Sequence, residues 1–424
     1  MQNFRERGIR PRPFLSHSRR ADLTYLHGLL SFEVGWPLAP VMAWIVEEGR
    51  RIEDPARFFG ELCGKLSDAG APVWRVGLDV RMIHPRWAAW QLTWARETGH
   101  VDDRAVAHGV RDTVAYVGSP TQTIHDTGAM VRCRLDHLDP DRDHPSLLYL
   151  ASRGGTDFAA FPLEFSTGQV NALFIATDRA DGFFDLDLAK FRVLIELLAL
   201  PVETFVAHRA ALALLETYVG PRAGRLVLDG RMRRGDGETI DAAIWFSDLR
   251  NFTSLTESLP WERLLDMLNA YFEFVDAAIT AQGGEILHFI GDALLIVFPT
   301  STKGDRCQAC KAALDAARDA FNGIATVNMR RVRAGEPPIR FGVGLHVGEV
   351  VYGNVGTPDH LNFTVMGSAV NRASRLESLT KQFGRAVLTS ADFAACIDEP
   401  FDSLGFHTMK GVTGPQEVLV PQGL

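Results

Sequence analysis

HFIGDALLIVF, residues 288–298, sets one carboxylate, Asp292, between apolar runs that otherwise read as a buried hairpin. EILHFI (285–290) and ALLIVF (293–298) are rich in β-formers, and the Gly291-Asp292 pair between them is a two-residue hairpin signal. Taken alone, Asp292 is a turn aspartate. A second carboxylate in a similar setting changes that reading. In AAIWFSDLRNFTSL, residues 242–255, a strand ends at Asp248 and enters polar turn chemistry without glycine. PWERLLDMLNAYFEFVDAAI follows, with Trp261, Leu264, Leu265, Leu268, Phe272, Val275 and Ile279 at helical spacing and Pro260 suited to its first turn. In the order β–α–β–β the two strands can lie side by side, and both carboxylates then face one point at the sheet edge. Bare carboxylates held together repel. Hard oxygen ligands, few in number, suit Mg²⁺ bound jointly with substrate phosphates, and the amides of residues 249–253 are placed to hold phosphate oxygens.

FTVMGSAVNRASRLESL, residues 363–379, is the second informative stretch. Ser368 is expected to cap a helix beginning near Ala369, with Asn371 and Arg375 at i and i+4 on one face. An exposed polar face is the plain alternative. Against it, Ala369, Val370, Ala373 and Leu376 already supply a packing stripe, and Arg375 offers a planar fork suited to phosphate. In GFHTMKGVTG, Lys410 stands near a strand end before a glycine turn, a place where a lone lysine ordinarily faces solvent.

The chain has 424 residues, which points to two or three domains. Hydrophobic residues at 46% and charged residues at 23% describe a globular protein, and a formal charge of −8 gives no whole-chain case for nucleic acid or an anionic membrane. Five cysteines are sparse and odd in number, which fits a reducing cytoplasm. The basic start, MQNFRERGIRPRPFLSHSRR, lacks a following apolar h-region and reads as a solvated tail. VGWPLAPVMAWIV (34–46), interrupted by Pro37 and Pro40, is shorter than the ~20 residues of a membrane helix and reads as packing, so no membrane span is expected.

Residues 1–54 read as a leader and 55–205 as one mixed α/β domain. PARFFGELCGKLSDAG has helical amphipathicity; VWRVGLDVRMI, WAAWQLTWARE, LLYLAS, FAAFPLEF and VNALFIAT are expected as strands. A long helical stretch follows, with Asp185 as the expected N-cap and Pro201 expected to kink or split it. Its histidines (His84, His100, His108, His125, His137 and His144) lack metal-site spacing. The Gly/Arg-rich run 220–240 reads as linker, within a helical transducer at 206–240. Cys307 and Cys310 form a CxxC on an amphipathic helix, expected to share its buried face as plain thiols.

In family order, FSDLRNFT (246–253), FIGDALLIVF (289–298), FGVGLHVGEVVYGNVG (341–356), GSAVNRASRL (367–376) and MKG (409–411) resemble the catalytic domain of the class III nucleotidyl (adenylate and guanylate) cyclases over roughly 180 residues. The resemblance implies an α+β fold for 241–424, a ferredoxin-like βαββαβ core working as a head-to-tail homodimer with shared sites. Asp248 and Asp292, with the backbone carbonyl of Leu249, would hold two Mg²⁺ or Mn²⁺ ions beside the turn that carries Phe252 and Thr253. The partner chain would bring Asn371 to the ribose, Arg375 to the transition state and Lys410 to the terminal phosphates.

The resemblance places His288 and Thr364 at the purine-reading positions. Many adenylate cyclases have Lys and Asp there, and guanylate cyclases typically place Glu at the first. Histidine donates to adenine N1 or accepts from a purine N–H, and it carries no carboxylate for guanine, so ATP is favoured over GTP as substrate. A diguanylate cyclase is a weaker match, because GGEIL (283–287) lies upstream of the hairpin whose tip is IGDA. A silent nucleotide-binding module has no need of Asp248, Asp292, Asn371 and Arg375 together. Residues 55–205, with opening helix, antiparallel strands and exit helix, resemble a GAF-type sensor domain in architecture only; no ligand motif is present. That domain is expected to dimerise and, through its exit helix, to set the angle between the catalytic domains.

Overall fold

The computed structural model describes residues 35–230, 235, 237–300, 306–357 and 360–424; the basic start and most of the run RMRRGDGE fall outside the described residues. The chain divides into two compact units, up to residue 214 and from residue 215.

In the first unit, α1 (Ala39–Glu47) and α2 (Pro55–Asp68) open the chain. Asp54 caps α2, its carboxylate accepting the Arg57 N–H at 2.6 Å, and Pro55 takes the first helical position, where no donor is lost. Trp36, Leu38, Val41, Trp44 and Ile45 bury into the same core as Phe58, Phe59 and Leu62 of α2. Residues 36–45, expected as leader, therefore pack as part of this unit.

A six-stranded antiparallel sheet follows: β1 (Arg75–Arg81), β2 (Trp87–Ala95), β3 (Val101–Ala107), β4 (Val131–Arg134), β5 (Asp157–Glu164) and β6 (Val170–Thr177), in the order β3-β2-β1-β6-β5-β4. Between β3 and β5 in the chain stand α3 (Pro120–Thr127) and α4 (Pro145–Ser152). LLYLAS, expected as a strand, is the body of α4. Pro145 at its first turn and the His144 ring, which accepts the Ser146 N–H at 3.2 Å, start a helix there; so short an apolar run has no period of its own to resist them.

α5 (Asp185–Val219) bears on two expectations. Asp185 is its first helical residue and not its cap; the Asp187 carboxylate accepts the Phe184 N–H at 2.9 Å and the Trp36 indole N–H at 3.1 Å. Pro201 does not split it, because Leu198 and Val202 on either side are held in the core and packing outweighs the missing hydrogen bond. By length and hydropathy alone α5 is long and apolar enough to cross a bilayer. Its first half, with Leu188, Phe191, Leu194 and Leu198, is the core helix of the first unit, while Leu200, Leu214 and Tyr218 are exposed.

The second unit begins inside the expected linker. α6 (Pro221–Leu228) buries Ala223 beside Ala242 and Ile244, and β7 (Gly237–Leu249) opens four residues before position 241. Then come α7 (Phe252–Ser258), α8 (Trp261–Ala281), β8 (Glu285–Ile290), β9 (Ala293–Pro299), α9 (Arg306–Arg333), β10 (Phe341–Thr357), β11 (His360–Met366), α10 (Ser368–Phe383), β12 (Val387–Ser390), α11 (Ala391–Ala394), β13 (Phe401–His407) and β14 (Gln416–Pro421). The sheet order is β13-β14-β12-β10-β7-β9-β8, with β11 paired to β10. Within it, β7, α8, β8, β9, α9 and β10 make a β–α–β–β–α–β core.

Residue parity along β7 assigns its two faces. Ala243, Trp245 and Leu249 pack with Tyr271 and Val275 of α8 and Ala313 and Leu314 of α9. Ala242 and Ile244 pack with Ala369 and Ala373 of α10. Asp248 shares the second face. On α8 the expected Val275 and Ile279 are buried and Leu264, Leu268 and Phe272 pack against the same core, joined by Met267 and Tyr271, while Trp261 is 67% and Leu265 46% exposed. Ser368 is the first residue of α10 and does not cap it; Gly367 holds the cap position with no side-chain bond. Cys310 is buried and Cys307 exposed, so the CxxC pair does not share the buried face of α9.

Candidate active site

Asp248 is positioned by the end of β7, opposite Gly342 of β10. The chain then turns sharply through Asn251, at φ 60°, the one non-glycine at positive φ among the described residues. Asparagine tolerates this left-handed conformation better than most side chains. The turn feeds directly into α7, with Phe252 half-buried against the α8/α9 core and Thr253 exposed. Leu249 is buried and its backbone lies in the ladder opposite Phe341.

Asp292 stands at the tip of the β8–β9 hairpin, which the Ile290–Ala293 pair closes and Gly291 turns at φ 67°. Because β9 lies beside β7, the tip comes to the end of β7, and the two carboxylates meet as expected. Burial first, and then the neighbouring Asp248 carboxylate, lift Asp292 to about 6.

Three further side chains complete this corner. Glu377 of α10 is 3% exposed, lifted to about 7 by burial and then by Asp248. Lys381, one turn on, places Nζ 3.6 Å from Asp248 Oδ2. Arg250 donates from Nη2 to Thr380 Oγ1 at 2.6 Å. Close helix–strand approach makes this possible. A Cβ at Gly344 would stand 2.1 Å from the Ala373 carbonyl oxygen and 2.4 Å from the Glu377 nitrogen. Glu377 and Lys381 were not singled out in the sequence, although a carboxylate interrupting the small and apolar stripe Ala369, Ala373, Leu376, Thr380 was the signal available.

Among the described residues no group of three or more His, Cys, Asp or Glu side chains is arranged to hold a metal. The pair Asp248 and Asp292 nevertheless fits a hard divalent cation shared with a phosphate ligand. Both are oxygen donors, each raises the cost of the other's charge, and a single lysine, Lys381, stands opposite the two of them.

The remaining expected residues fall into two further groups. Arg375 Nε donates to the backbone carbonyl of Lys410 at 3.2 Å, which joins α10 to the segment before β14; Asn371 and Lys410 are exposed. The His288 ring stands by the Phe363 backbone, next to Thr364 in β11; burial lowers its pKa, and its Nε2 is buried without a partner. The β8–β9 ladder shifts register between Ile286 and His288. Thr364 is half-buried on β11.

Residues 237–415 match the family model of the adenylate and guanylate cyclase catalytic domain. The second unit thus matches a cyclase catalytic domain. Over 181 residues the chain is 35% identical to the terminal-differentiation-specific adenylate cyclase of Dictyostelium discoideum, covering 42% of this chain and 8% of that protein. Over 156 residues it is 38% identical to an adenylate cyclase of Anabaena cylindrica, covering 36% and 30%. The chain thus spans less than a third of either relative. A solved bacterial light-regulated adenylyl cyclase aligns at 28% identity and TM-score 0.45 over 55% of this chain and 65% of that one. Asp248, Asp292, Arg375, Glu377, Lys381 and Lys410, with His288 and Thr364, all lie within the matched residues 237–415.

Proposed function

We propose that this protein is an adenylate cyclase, a lyase that converts ATP to 3′,5′-cyclic AMP and pyrophosphate at sites shared between the two chains of a homodimer. The observation that carries the proposal is the meeting of Asp248 and Asp292 at the sheet edge, with one carboxylate raised to about 6. These two acids and the Leu249 carbonyl would hold two Mg²⁺ or Mn²⁺ ions. When bound, such ions make a ribose hydroxyl more acidic and gather triphosphate oxygens. The 3′-hydroxyl attacks the α-phosphorus in line, its proton leaves, and the bond to pyrophosphate breaks. Asn371 of the partner holds the ribose, Arg375 donates to the charge that grows on the α-phosphoryl oxygens, and Lys410 takes the terminal phosphates. The turn at 249–253, with Phe252 and Thr253, lines the phosphates. Catalysis here is positioning plus electrostatics, with no protein nucleophile.

His288 and Thr364 read the base. The His288 ring, kept neutral by burial, offers one donor or one acceptor and no negative charge, which suits adenine better than guanine. Guanylate cyclase is the second reading, since a neutral ring nitrogen also accepts from guanine N1–H. Incubating the full chain with ATP or GTP and Mn²⁺, and assaying cyclic product and pyrophosphate, separates three cases. Cyclic AMP supports the proposal, cyclic GMP the second reading, and no product the silent nucleotide-binding module.

The first unit fits a GAF-like sensor role. Its sheet and helices α3 and α4 enclose a cavity of about 620 Å³ lined by Arg75, Asp79, Gln91, Phe158 and Phe174 among others. The exposed apolar residues of α5 beyond Val202 suit pairing with a second copy. A cytoplasmic location accords with five free cysteines, and neither a membrane span nor nucleic acid forms part of the reading.

A further inference from the structure

A cavity of about 700 Å³ opens in the second unit where four segments meet. The turn after β7 gives it Arg250, the second half of α9 gives Phe321 and Asn328, the entry to β10 gives Arg340, and the end of α10 with the residues after it gives Lys381 and Arg385. Every charged residue of the lining is a cation. Among the described residues Arg250, Arg340 and Arg385 form no ion pair with a carboxylate, while Lys381 Nζ lies 3.6 Å from Asp248 Oδ2. Arg250 is held firmly. Its backbone N–H donates to the Arg340 carbonyl at 2.7 Å, and its Nη2 donates to Thr380 Oγ1 at 2.6 Å and to the Arg385 carbonyl at 3.2 Å. It can cross there because position 342 is glycine; a Cβ would stand 2.6 Å from Nη2. Arg250 Nη1 is left buried without a hydrogen-bond partner. The α9 wall is fixed as well: Asn328 exchanges bonds of 2.8 and 2.7 Å with the Ile339 backbone, and the Phe321 ring stacks on Phe341 at 4.2 Å. One basic residue near the end of α10 needs no explanation beyond the helix dipole. Four cations drawn from three segments, with no acid in the lining, repel one another, and an anion removes that cost.

We propose that this cavity binds a phosphate-class oxyanion, inorganic phosphate or pyrophosphate, among Arg250, Arg340, Lys381 and Arg385. A carboxylate is satisfied by a single guanidinium fork. A phosphate carries more charge and points its oxygens in several directions, which suits cations that arrive from different segments. Three of the four cations are arginines, the side chain whose planar fork matches phosphate oxygens in pairs. Lys381 is shared with Asp248, so the site adjoins the acidic pair without including it. Bound there, the anion ties the turn after β7 to the start of β10 and the end of α10. The site depends neither on which nucleotide the cyclase domain takes nor on metal at Asp248 and Asp292.

The test is calorimetric titration of the full chain with inorganic phosphate and, separately, with pyrophosphate, in EDTA and at constant ionic strength. EDTA silences any phosphate held through a divalent cation, and no nucleotide is present, so the result stands apart from the cyclase reading. Saturable binding of either anion is expected, and the tighter of the two names the ligand. Arg340→Gln and Arg385→Gln, both at exposed positions, should each weaken it roughly fivefold or more with the melt unchanged, and together should abolish it. A chain carrying Arg375→Ala and Lys410→Ala should bind as the wild type does. No saturable binding of either anion, affinity unchanged by both arginine substitutions, loss of binding in the Arg375→Ala and Lys410→Ala chain, or equal binding of acetate would each overturn the proposal.

Discussion

Asp248 and Asp292 carry the largest consequences per atom. Replacing either with Ala removes half of the oxygen donors that face each other at the end of β7. Cyclic nucleotide formation should fall by more than about 100-fold, with the far-UV spectrum and melting temperature little changed. Pyrophosphate release with Mg²⁺ and with Mn²⁺ checks this; near wild-type turnover would remove the metal assignment. His288→Glu supplies the carboxylate that guanine needs and should move the ATP/GTP ratio toward GTP. An unchanged ratio would take His288 out of base selection. His346 gives the pH dependence at this scale. It is 2% exposed, its Nδ1 is 2.7 Å from Ser390 Oγ, and burial, followed by the charge of Arg372, lowers it to about 4. The unfolded chain, with an ordinary histidine, binds this proton more readily than the folded one. The His346 contribution is therefore fully present above about pH 6.5 and is lost as pH falls toward 4, by at most about 3 kcal/mol. Denaturant melts of wild type and His346→Gln between these pH values should converge on acidification if this is right.

At the scale of elements, α10 carries the site. It lies against β10 and β7 where glycines let it approach, and it presents Glu377 and Lys381 to Asp248 while Arg375 reaches the Lys410 carbonyl. Gly344→Ala would set a methyl group against backbone atoms that cannot rotate away. The expected cost is about 1–3 kcal/mol, with lost activity as α10 is pushed from the strand. A melt unchanged within error would show that the helix yields freely. The hairpin, by contrast, was legible in advance. Gly291-Asp292 between two β-rich runs allows little else, and β8 and β9 start and stop where the sequence places them. α4 was not legible, since six apolar residues fit strand or helix and Pro145 with His144 decided between them. The face of α8 was legible in large part: Val275 and Ile279 are buried as spaced, and packing adds Met267 and Tyr271 while leaving Trp261 and Leu265 exposed.

At the scale of the whole molecule, the proposed homodimer makes a strong claim. Asp248→Ala and Arg375→Ala chains, each nearly inactive, should regain activity on mixing, because one of the two shared sites is then intact. Absence of rescue after confirmed subunit exchange would count against shared sites. Removing residues 1–217 should change specific activity markedly if the first unit sets the angle between catalytic domains, and equal activity of the remaining block would contradict that role.

The chemistry of this protein is largely local in its sequence. Strand runs, a Gly-Asp tip, a carboxylate at a strand exit and an Asn-to-Arg spacing of one helical turn are short-range patterns, so the sequence alone determined the cyclase-like half and the meeting of its two acidic strand ends. Long-range contact decided the rest. Glu377 and Lys381 matter only because α10 crosses the end of β7, more than a hundred positions away in the chain. Residues 36–45 join the first unit for the same reason. Burial and charge proximity belong to the packed chain, and no local pattern encodes which distant side chain will supply them.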